Sequence, residues 1–230
     1  MSTNTIGNSL RRLKSERDYF HPITWLVFSI FLLGRPLYTS NQNTYFIHGE
    51  AQGRLRGVLA HDFMASTSDP CFVFSKLISV LSAHHVIAAC YVIYVLIGFT
   101  YLLSLLHITH HVTEGHRLSL DEKGRRLLCC WIATVVVTIH VLPWPVVQRL
   151  FHWGIADQYL LIGYLQPSTF GVLIVTGISL FLRKHFFYAT ICICFAALFH
   201  PTYTYQIALL FTLFSYAEYM RTRKLRDLLH

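Results

Sequence analysis

Two carboxylates in a polar stretch of the chain are the residues best suited to chemistry. They are Asp62 and Asp69, within "NQNTYFIHGEAQGRLRGVLAHDFMASTSDPCFVFSK". Asp62 follows His61, and a carboxylate there could act as a general base on a hydroxyl or hold a divalent cation; a solvated surface charge is the alternative. Asp69 precedes Pro70, the pattern of a helix N-cap followed by proline at the first helical position. We therefore expect Asp69 to be mainly structural.

Polar residues beside prolines interrupt two apolar stretches, "YLQPSTF" and "ALFHPTYTYQ". Pro167 and Pro201 lack an amide hydrogen and disfavour a helical residue before them, so we expect a break at Gln166 and at His200. Counted from the basic turn 183–185, the two breaks lie at similar height, about 24 Å up antiparallel helices. This geometry predicts one shared cavity that opens toward the outside. Two unrelated kinks are the alternative.

The elements that position these residues are predicted to be membrane helices. The chain has 230 residues, is 54% hydrophobic and only 13% charged, and has a mean hydropathy of +0.47. Long charge-free segments recur, which predicts an all-α polytopic membrane protein of about six transmembrane helices, some short and broken near the outer leaflet. The predicted spans are about 22–38, 77–106, 127–147, 159–182, 186–199 and 203–220.

The distribution of charge predicts the orientation of these spans. Basic residues cluster in the N-terminus 1–21, in 117–126, at 183–185 and in the tail 221–230. Because cytoplasmic loops carry an excess of Lys and Arg, we expect these segments, and both termini, on the cytoplasmic side. The net charge of +8 then reflects topology and not a nucleic-acid partner. A single membrane domain would cover 22–220, with 39–75 as a long external loop.

A short surface helix is predicted within the external loop. Leu55, Leu59 and Phe63 recur at four-residue spacing, with Val58 beside them. Such an apolar stripe is typical of an amphipathic helix that lies along a membrane surface. It would hold Asp62 above the predicted cavity.

A histidine-rich stretch is the other candidate for metal chemistry. His107, His110 and His111 in "HITHH" have the spacing found in membrane oxidases that bind two irons. Those enzymes need several such boxes, and neither His84–His85 nor His116 completes the set. No cysteine spacing resembles a zinc site, so we assign no metal ligands.

The order of these features resembles the GT-C superfamily, membrane glycosyltransferases that use polyprenyl-phosphate-linked sugars. More closely, the chain looks like a family of uncharacterised bacterial integral membrane proteins with that layout. The resemblance covers about residues 20–220 and implies the bacterial inner membrane. Four motifs carry it: "SNQNTYFIHG", "HDFMASTSDPCFVFS", "QYLLIGYLQPSTFGV" and "LFHPTYTYQ".

The resemblance implies roles for particular residues. The superfamily's catalytic carboxylate lies in the first external loop, which implies Asp62 as the base that deprotonates the acceptor, with Asp69 second. A divalent cation, Mg²⁺ or Mn²⁺, could assist. Members are considerably longer, so the resemblance reaches an N-terminal portion only, and the chain is expected to be a fragment, a degenerate relative, or a half that needs a partner protein to supply the rest. The residues proposed to meet the lipid-linked sugar phosphate are Arg54, Arg56, Arg149, Gln166, His200 and Tyr203.

A different class of function fits the same layout. The chain could be a non-catalytic membrane subunit or a lipid-binding scaffold. In that case neither Asp62 nor an added divalent cation should affect its function.

Overall fold

A computed structural model describes residues 36–39, 41–59, 61–115, 121–141, 155, 158–161 and 163–227. These residues are all-helical and contain no strand, which confirms the predicted all-α class. The α-helices are α1 (Gln42–Gln52), α2 (Phe63–Ser66), α3 (Phe72–Ala83), α4 (Ala89–Gly115), α5 (Glu122–Val141), α6 (Val172–Leu182), α7 (Phe186–Phe199) and α8 (Thr204–Asp227). Two short 3-10 helices, Pro167–Gly171 and Pro201–Tyr203, precede α6 and α8.

Helices α1 and α3 run side by side in the same direction and approach closely. A Cβ atom added to Gly49 would lie 2.6 Å from the Cβ of Ile78 and 2.7 Å from the carbonyl oxygen of Ser75. One added to Gly53 would lie 2.9 Å from the carbonyl oxygen of Ser79. Small residues at four-residue spacing let two backbones come this close, as they do between membrane helices.

Helix α4 runs parallel to α6, and α5 returns antiparallel along α4. The Ser104 hydroxyl of α4 donates to Thr176 of α6 over 3.1 Å. Nearer the start of α4, the hydroxyl of Tyr94 accepts from the amide of Gly163 at 2.9 Å. The contact that is later in α4 is also the later one in the segment that leads into and includes α6. The C-terminal ends of α4 and α6 therefore point the same way.

Helices α6, α7 and α8 form an up-and-down set. Gly177 lets α7 approach α6, since an added Cβ would lie 2.4 Å from the side chain of Ile193. The ring of Phe181, at the end of α6, stacks on Phe214 of α8 with centroids 4.1 Å apart. Helix α8 therefore runs parallel to α6 and antiparallel to α7.

Two helices end in the same capping motif at a residue that is not glycine. His85 after α3 and Lys184 after α6 have φ values of 59° and 66°, in the left-handed region. After α3, the amide of Val86 donates to the carbonyl of Leu81, and the amide of His85 donates to Ser82. The same pair of bonds closes α6. Both sites are Schellman motifs, in which glycine is the usual residue.

The prediction of about six transmembrane helices is not supported by the described residues. Among them one helix, Ala89–Glu114, is long and apolar enough to cross a membrane by length and composition. The apolar helices α3, α6 and α7 have 12, 11 and 14 residues, fewer than the roughly 20 that a span needs. The span predicted at 77–106 is divided between α3 and α4, and the one at 159–182 is helical only from Pro167 onward.

The surface helix predicted around Leu55, Leu59 and Phe63 is wrong. Residues 53–59 form turns, and the long helix of this loop is α1, which precedes them. Gly53 and Gly57 explain the difference, because glycine in a helix interior costs about 1 kcal/mol relative to alanine. Several predictions fall outside the described residues: the N-terminus 1–21, most of the first span 22–38, His116 and Arg149.

Candidate functional site

The two proline-marked breaks lie against each other. The hydroxyl of Tyr203 donates to the carbonyl oxygen of Ser168 over 2.7 Å. The rings of Phe170 and Phe199 stack in parallel with their centroids 3.6 Å apart. The breaks therefore lie at one height, as the sequence predicts. Their depth in a membrane stays a prediction.

The contact between the breaks is packed with side chains. Tyr203 is fully buried, and Phe170 is buried between Phe199 and Phe74. These side chains therefore fill the contact between the breaks, where the sequence predicts a shared cavity. A cleft of about 10 Å³, room for roughly one water molecule, lies to one side, between the starts of α1 and α4 and residues 163–165.

Gln166 forms a closed network with its own neighbours. Its side-chain amide donates to the hydroxyl of Ser168 at 2.6 Å, and that hydroxyl donates to the carbonyl of Tyr159 at 2.6 Å. The amide of Gln166 donates to the hydroxyl of Thr169, which closes a capping box at the 3-10 helix. All three polar side chains are buried. Their hydrogen bonds stabilise an irregular backbone at a site from which solvent is excluded.

His200 occupies the matching position in the second break. It is 6% exposed, and its Nδ1 lies 2.7 Å from the hydroxyl of Thr202. Its extended backbone (φ −143°, ψ 109°) separates α7 from the 3-10 helix that follows. Like Gln166, His200 bonds within its own break and not to a neighbouring helix.

Asp62, the predicted catalytic base, has a structural role. It is the N-cap of α2, and its Oδ1 accepts from the amide of Ala65 at 3.0 Å. Among the described residues, it makes no hydrogen bond to either break. The capping pattern could have been read from the sequence, because aspartate is one of the preferred N-cap residues.

Asp69 lies just before α3, close to the predicted position. Its Oδ1 accepts from the amide of Cys71 at 2.9 Å, one residue before the helix begins. The other oxygen, Oδ2, is buried and has no hydrogen-bond partner among the described residues. Burial, with a smaller contribution from the Asp69 charge, raises the pKa of the Cys71 thiol to about 12.

The cations proposed to meet a phosphate are not brought together with the breaks. The backbone amide of Arg54 donates to the hydroxyl of Ser82, and the side chains of Arg54 and Arg56 are exposed. Arg149 lies outside the described residues. Of the proposed residues that the structure describes, Gln166, His200 and Tyr203 are the ones that lie together.

A buried carboxylate that the sequence analysis missed is Glu50, on α1. It is 4% exposed and accepts two hydrogen bonds, from Tyr38 at 2.7 Å and from Ser82 at 2.6 Å. It joins α1, α3 and the turn before α1. An available signal was its place in "GEAQG", since an acid between helix-packing glycines is held close to a neighbouring helix.

The histidine box does not form a metal centre in the part of the chain that the structure covers. His107, His110 and His111 lie near the end of α4, and His110 lies 3.5 Å from Glu114. No group of three or more candidate ligands forms among the described residues. His84 and His85 lie at the other end of α4, in the turn that precedes it.

Comparison of the chain with family profiles, with curated proteins and with solved structures found no significant match. Function is therefore argued from the geometry of the described residues.

Proposed function

We propose that the chain is a membrane subunit without catalysis of its own, embedded in a bilayer and holding lipid or another membrane helix against α7 and α8. It would lie in the bacterial inner membrane with its basic segments in the cytoplasm. The observation that carries this proposal is the set of large apolar side chains that these two helices expose.

Helix α7 has small or short side chains inside and large apolar ones outside. Ala189, Ile193 and Ala196 are buried. On the opposite face Phe187 is 69% exposed and Leu198 is 54% exposed. In a water-soluble protein such a face would be a large apolar patch in contact with solvent. Lipid tails remove that cost, and small residues are favoured between membrane helices.

Helix α8 also exposes large apolar side chains, although the residues it buries are large as well. Tyr205, Leu209, Leu213 and Tyr216 are each more than half exposed, whereas Ile207 and Phe214 are buried. The apolar surface therefore continues from α7 onto α8. A surface of this extent suits lipid tails or a second apolar helix.

The polar residues support a subunit more than an enzyme. Asp62 and Asp69 cap helices, and Gln166, Ser168 and Tyr203 satisfy one another within the breaks. Apart from Oδ2 of Asp69, these side chains have their hydrogen bonds already, and the cleft of about 10 Å³ beside the breaks has room for roughly one water molecule.

Membrane extraction tests the proposal. Membranes from cells that express the protein are washed with alkaline carbonate, which strips peripheral proteins. We expect the protein to stay in the pellet and to be released only by detergent. Release by carbonate would overturn the proposal. We also expect Asp62→Asn and removal of divalent cations to leave its membrane association unchanged.

A second candidate is transfer of a lipid-linked sugar, as the GT-C resemblance implies. The observation that favours it is the unpartnered buried Oδ2 of Asp69, because an orphaned buried carboxylate oxygen is costly unless something binds it. The test is sugar transfer from a polyprenyl-phosphate donor by the reconstituted protein, with and without Mg²⁺ or Mn²⁺. Activity lost in Asp62→Asn or Asp69→Asn would support it; no transfer by the wild-type protein would reject it for this chain alone.

A further inference from the structure

Basic side chains gather at one end of the helices. The end of α4 lies beside the start of α5, where Thr113 and Cys129 are 3.7 Å apart. The end of α6 lies beside α8, where Phe181 stacks on Phe214. Because α4 and α6 run parallel, the end of α4, the start of α5 and the end of α6 are at the same end of the molecule, and the second half of α8 continues toward that end. The bases with described side chains there are Lys123, Arg125, Arg126, Arg183, Lys184, Arg221 and Arg223.

The carboxylates with described side chains at this end are already engaged within their own helices. Glu218 and Arg221 form a bidentate pair. The others do likewise: Glu114 pairs with His110, Glu122 pairs with Arg126, and Asp121 accepts from the amide of Gly124.

Four bases at this end are left without an acidic partner in the described part of the chain. They lie on different elements: Lys123 and Arg125 on α5, Lys184 in the turn after α6, and Arg223 on α8. Lys123, Lys184 and Arg223 are exposed, and Arg125 is half-buried. Their charges are available to an external anion.

Exposed tyrosines lie next to these bases. Tyr188 follows the basic turn by one helical turn, and Tyr216 and Tyr219 lie between the Phe181–Phe214 stack and Arg223. All three are more than half exposed. Tyrosine is enriched where a membrane meets water, because its ring is apolar and its hydroxyl is polar.

We infer that Lys123, Arg125, Lys184 and Arg223 form a binding surface for the headgroups of anionic phospholipids. Lys184 and Arg223 stand just beyond the apolar faces of α7 and α8, and Lys123 and Arg125 lie on α5 at the same end of the molecule, where headgroup phosphates would lie. The adjoining tyrosines and apolar faces favour a lipid surface over nucleic acid. A basic side chain near an anionic bilayer contributes about 1 kcal/mol to binding, or about fivefold in affinity. This inference rests on the proposed membrane integration.

The experiment compares phosphatidylglycerol with phosphatidylcholine as added lipids. The full-length protein is purified in a neutral detergent, and its apparent affinity for each lipid is measured from the rise in Tm with lipid concentration. We expect binding of phosphatidylglycerol to be stronger than that of phosphatidylcholine, and to weaken as salt is raised from about 0.05 to about 0.5 M, since screening shortens the reach of surface charge.

A four-fold variant tests the named residues: Lys123→Gln, Arg125→Gln, Lys184→Gln and Arg223→Gln together. We expect it to lose the preference for phosphatidylglycerol, with each single change weakening binding up to about fivefold. The control is Lys76→Gln, which removes an exposed base elsewhere and should keep the preference.

Each result separates this inference from the proposed function. Equal binding of the two lipids by the wild-type protein, or an unchanged preference in the four-fold variant, would overturn the inference while carbonate-resistant membrane retention still stands. A stronger response to a short RNA than to phosphatidylglycerol would also overturn it. Release by carbonate would instead reject the membrane proposal on which it rests.

Discussion

The hydroxyl of Tyr203 donates a 2.7 Å hydrogen bond to the carbonyl of Ser168, which ties together two helix breaks 35 residues apart. Gly171 makes the bond possible, because a Cβ at that position would lie 2.4 Å from the Tyr203 oxygen. The contact joins the start of α8 to the start of α6. It is the one polar link between the two breaks in the described residues.

Tyr203→Phe should destabilise the protein. The substitution keeps the ring but leaves the Ser168 carbonyl without this donor in a buried site, which costs about 1–3 kcal/mol. Thermal unfolding in detergent measures the change. The control is Tyr205→Phe, because Tyr205 is 85% exposed and should tolerate the loss of its hydroxyl. Equal Tm values for the two variants would contradict the role given to this bond.

Gly49→Ala should force α1 away from α3. The new Cβ would lie 2.6 Å from the Cβ of Ile78, and neither the α3 backbone nor a β-branched side chain can move aside easily. Overpacking of this kind costs about 1–3 kcal/mol. Gly57→Ala is the matched control, since a methyl group at that position would have no neighbouring atom within 4 Å. If both variants unfold at the same temperature as the wild type, the helices are not in this close contact.

His85→Gly should stabilise the protein or leave it unchanged. His85 adopts a φ of 59°, which costs a residue with a Cβ roughly 1–2 kcal/mol and costs glycine little. Glycine's larger freedom in the unfolded chain offsets part of the gain. His84→Gly is the control: His84 has an ordinary φ of −90°, so glycine there should destabilise. Opposite signs in denaturant unfolding are expected; a loss of stability with His85→Gly would contradict the assigned conformation.

The Cys71 thiol should resist alkylation in the folded protein. It is 2% exposed, and its pKa is raised to about 12, so almost no thiolate exists near neutral pH. In a variant with Cys71 as its single cysteine, a maleimide should react slowly until the protein is unfolded. A second single-cysteine variant, made by Ser68→Cys at a less buried site, should react much faster.

The same pKa shift gives a sign for pH dependence. The folded pKa of Cys71 is above that of a free thiol, about 8.5, so its contribution to stability is intact below that pH. It is lost as pH rises toward about 12, where the buried thiol would have to ionise. Rapid alkylation of Cys71 in the folded protein near neutral pH would contradict both its burial and this direction.

The sequence predicts the local features of this fold better than its long-range ones. Pro167 and Pro201 mark the breaks because proline acts on its own backbone and on the residue before it, whatever surrounds it. The common height of the breaks also follows, because the turn at Lys184 joins α6 to α7 closely. Which side chains fill the space between the breaks cannot be predicted from the sequence. The rotamers of Phe170, Phe199 and Tyr203 depend on packing that local sequence does not encode.

The long loop is where sequence reasoning is weakest. An apolar period at Leu55, Leu59 and Phe63 suggests a helix, but Gly53 and Gly57 break it, and α1 forms earlier because it can pack against α3. The role of Glu50 depends on Ser82, 32 residues away, and no short-range pattern reports that pairing. Sequence reasoning therefore finds the meeting of Gln166, His200 and Tyr203 at the breaks, whereas the catalytic role of Asp62 stays a prediction.

Under the proposed membrane integration, the shortness of α7 has a consequence for the surrounding bilayer. With 14 residues it rises about 21 Å, roughly 9 Å less than the hydrocarbon thickness. Such hydrophobic mismatch is relieved either by thinning the bilayer or by protein that fills the gap. Here the pair of helices α1 and α3 packs against the first break, where the ring of Phe74 on α3 contacts that of Phe170. Phe72 and Val80 on α3 are exposed. In a membrane this helix pair would be partly embedded and would occupy space that outer-leaflet lipid would otherwise fill.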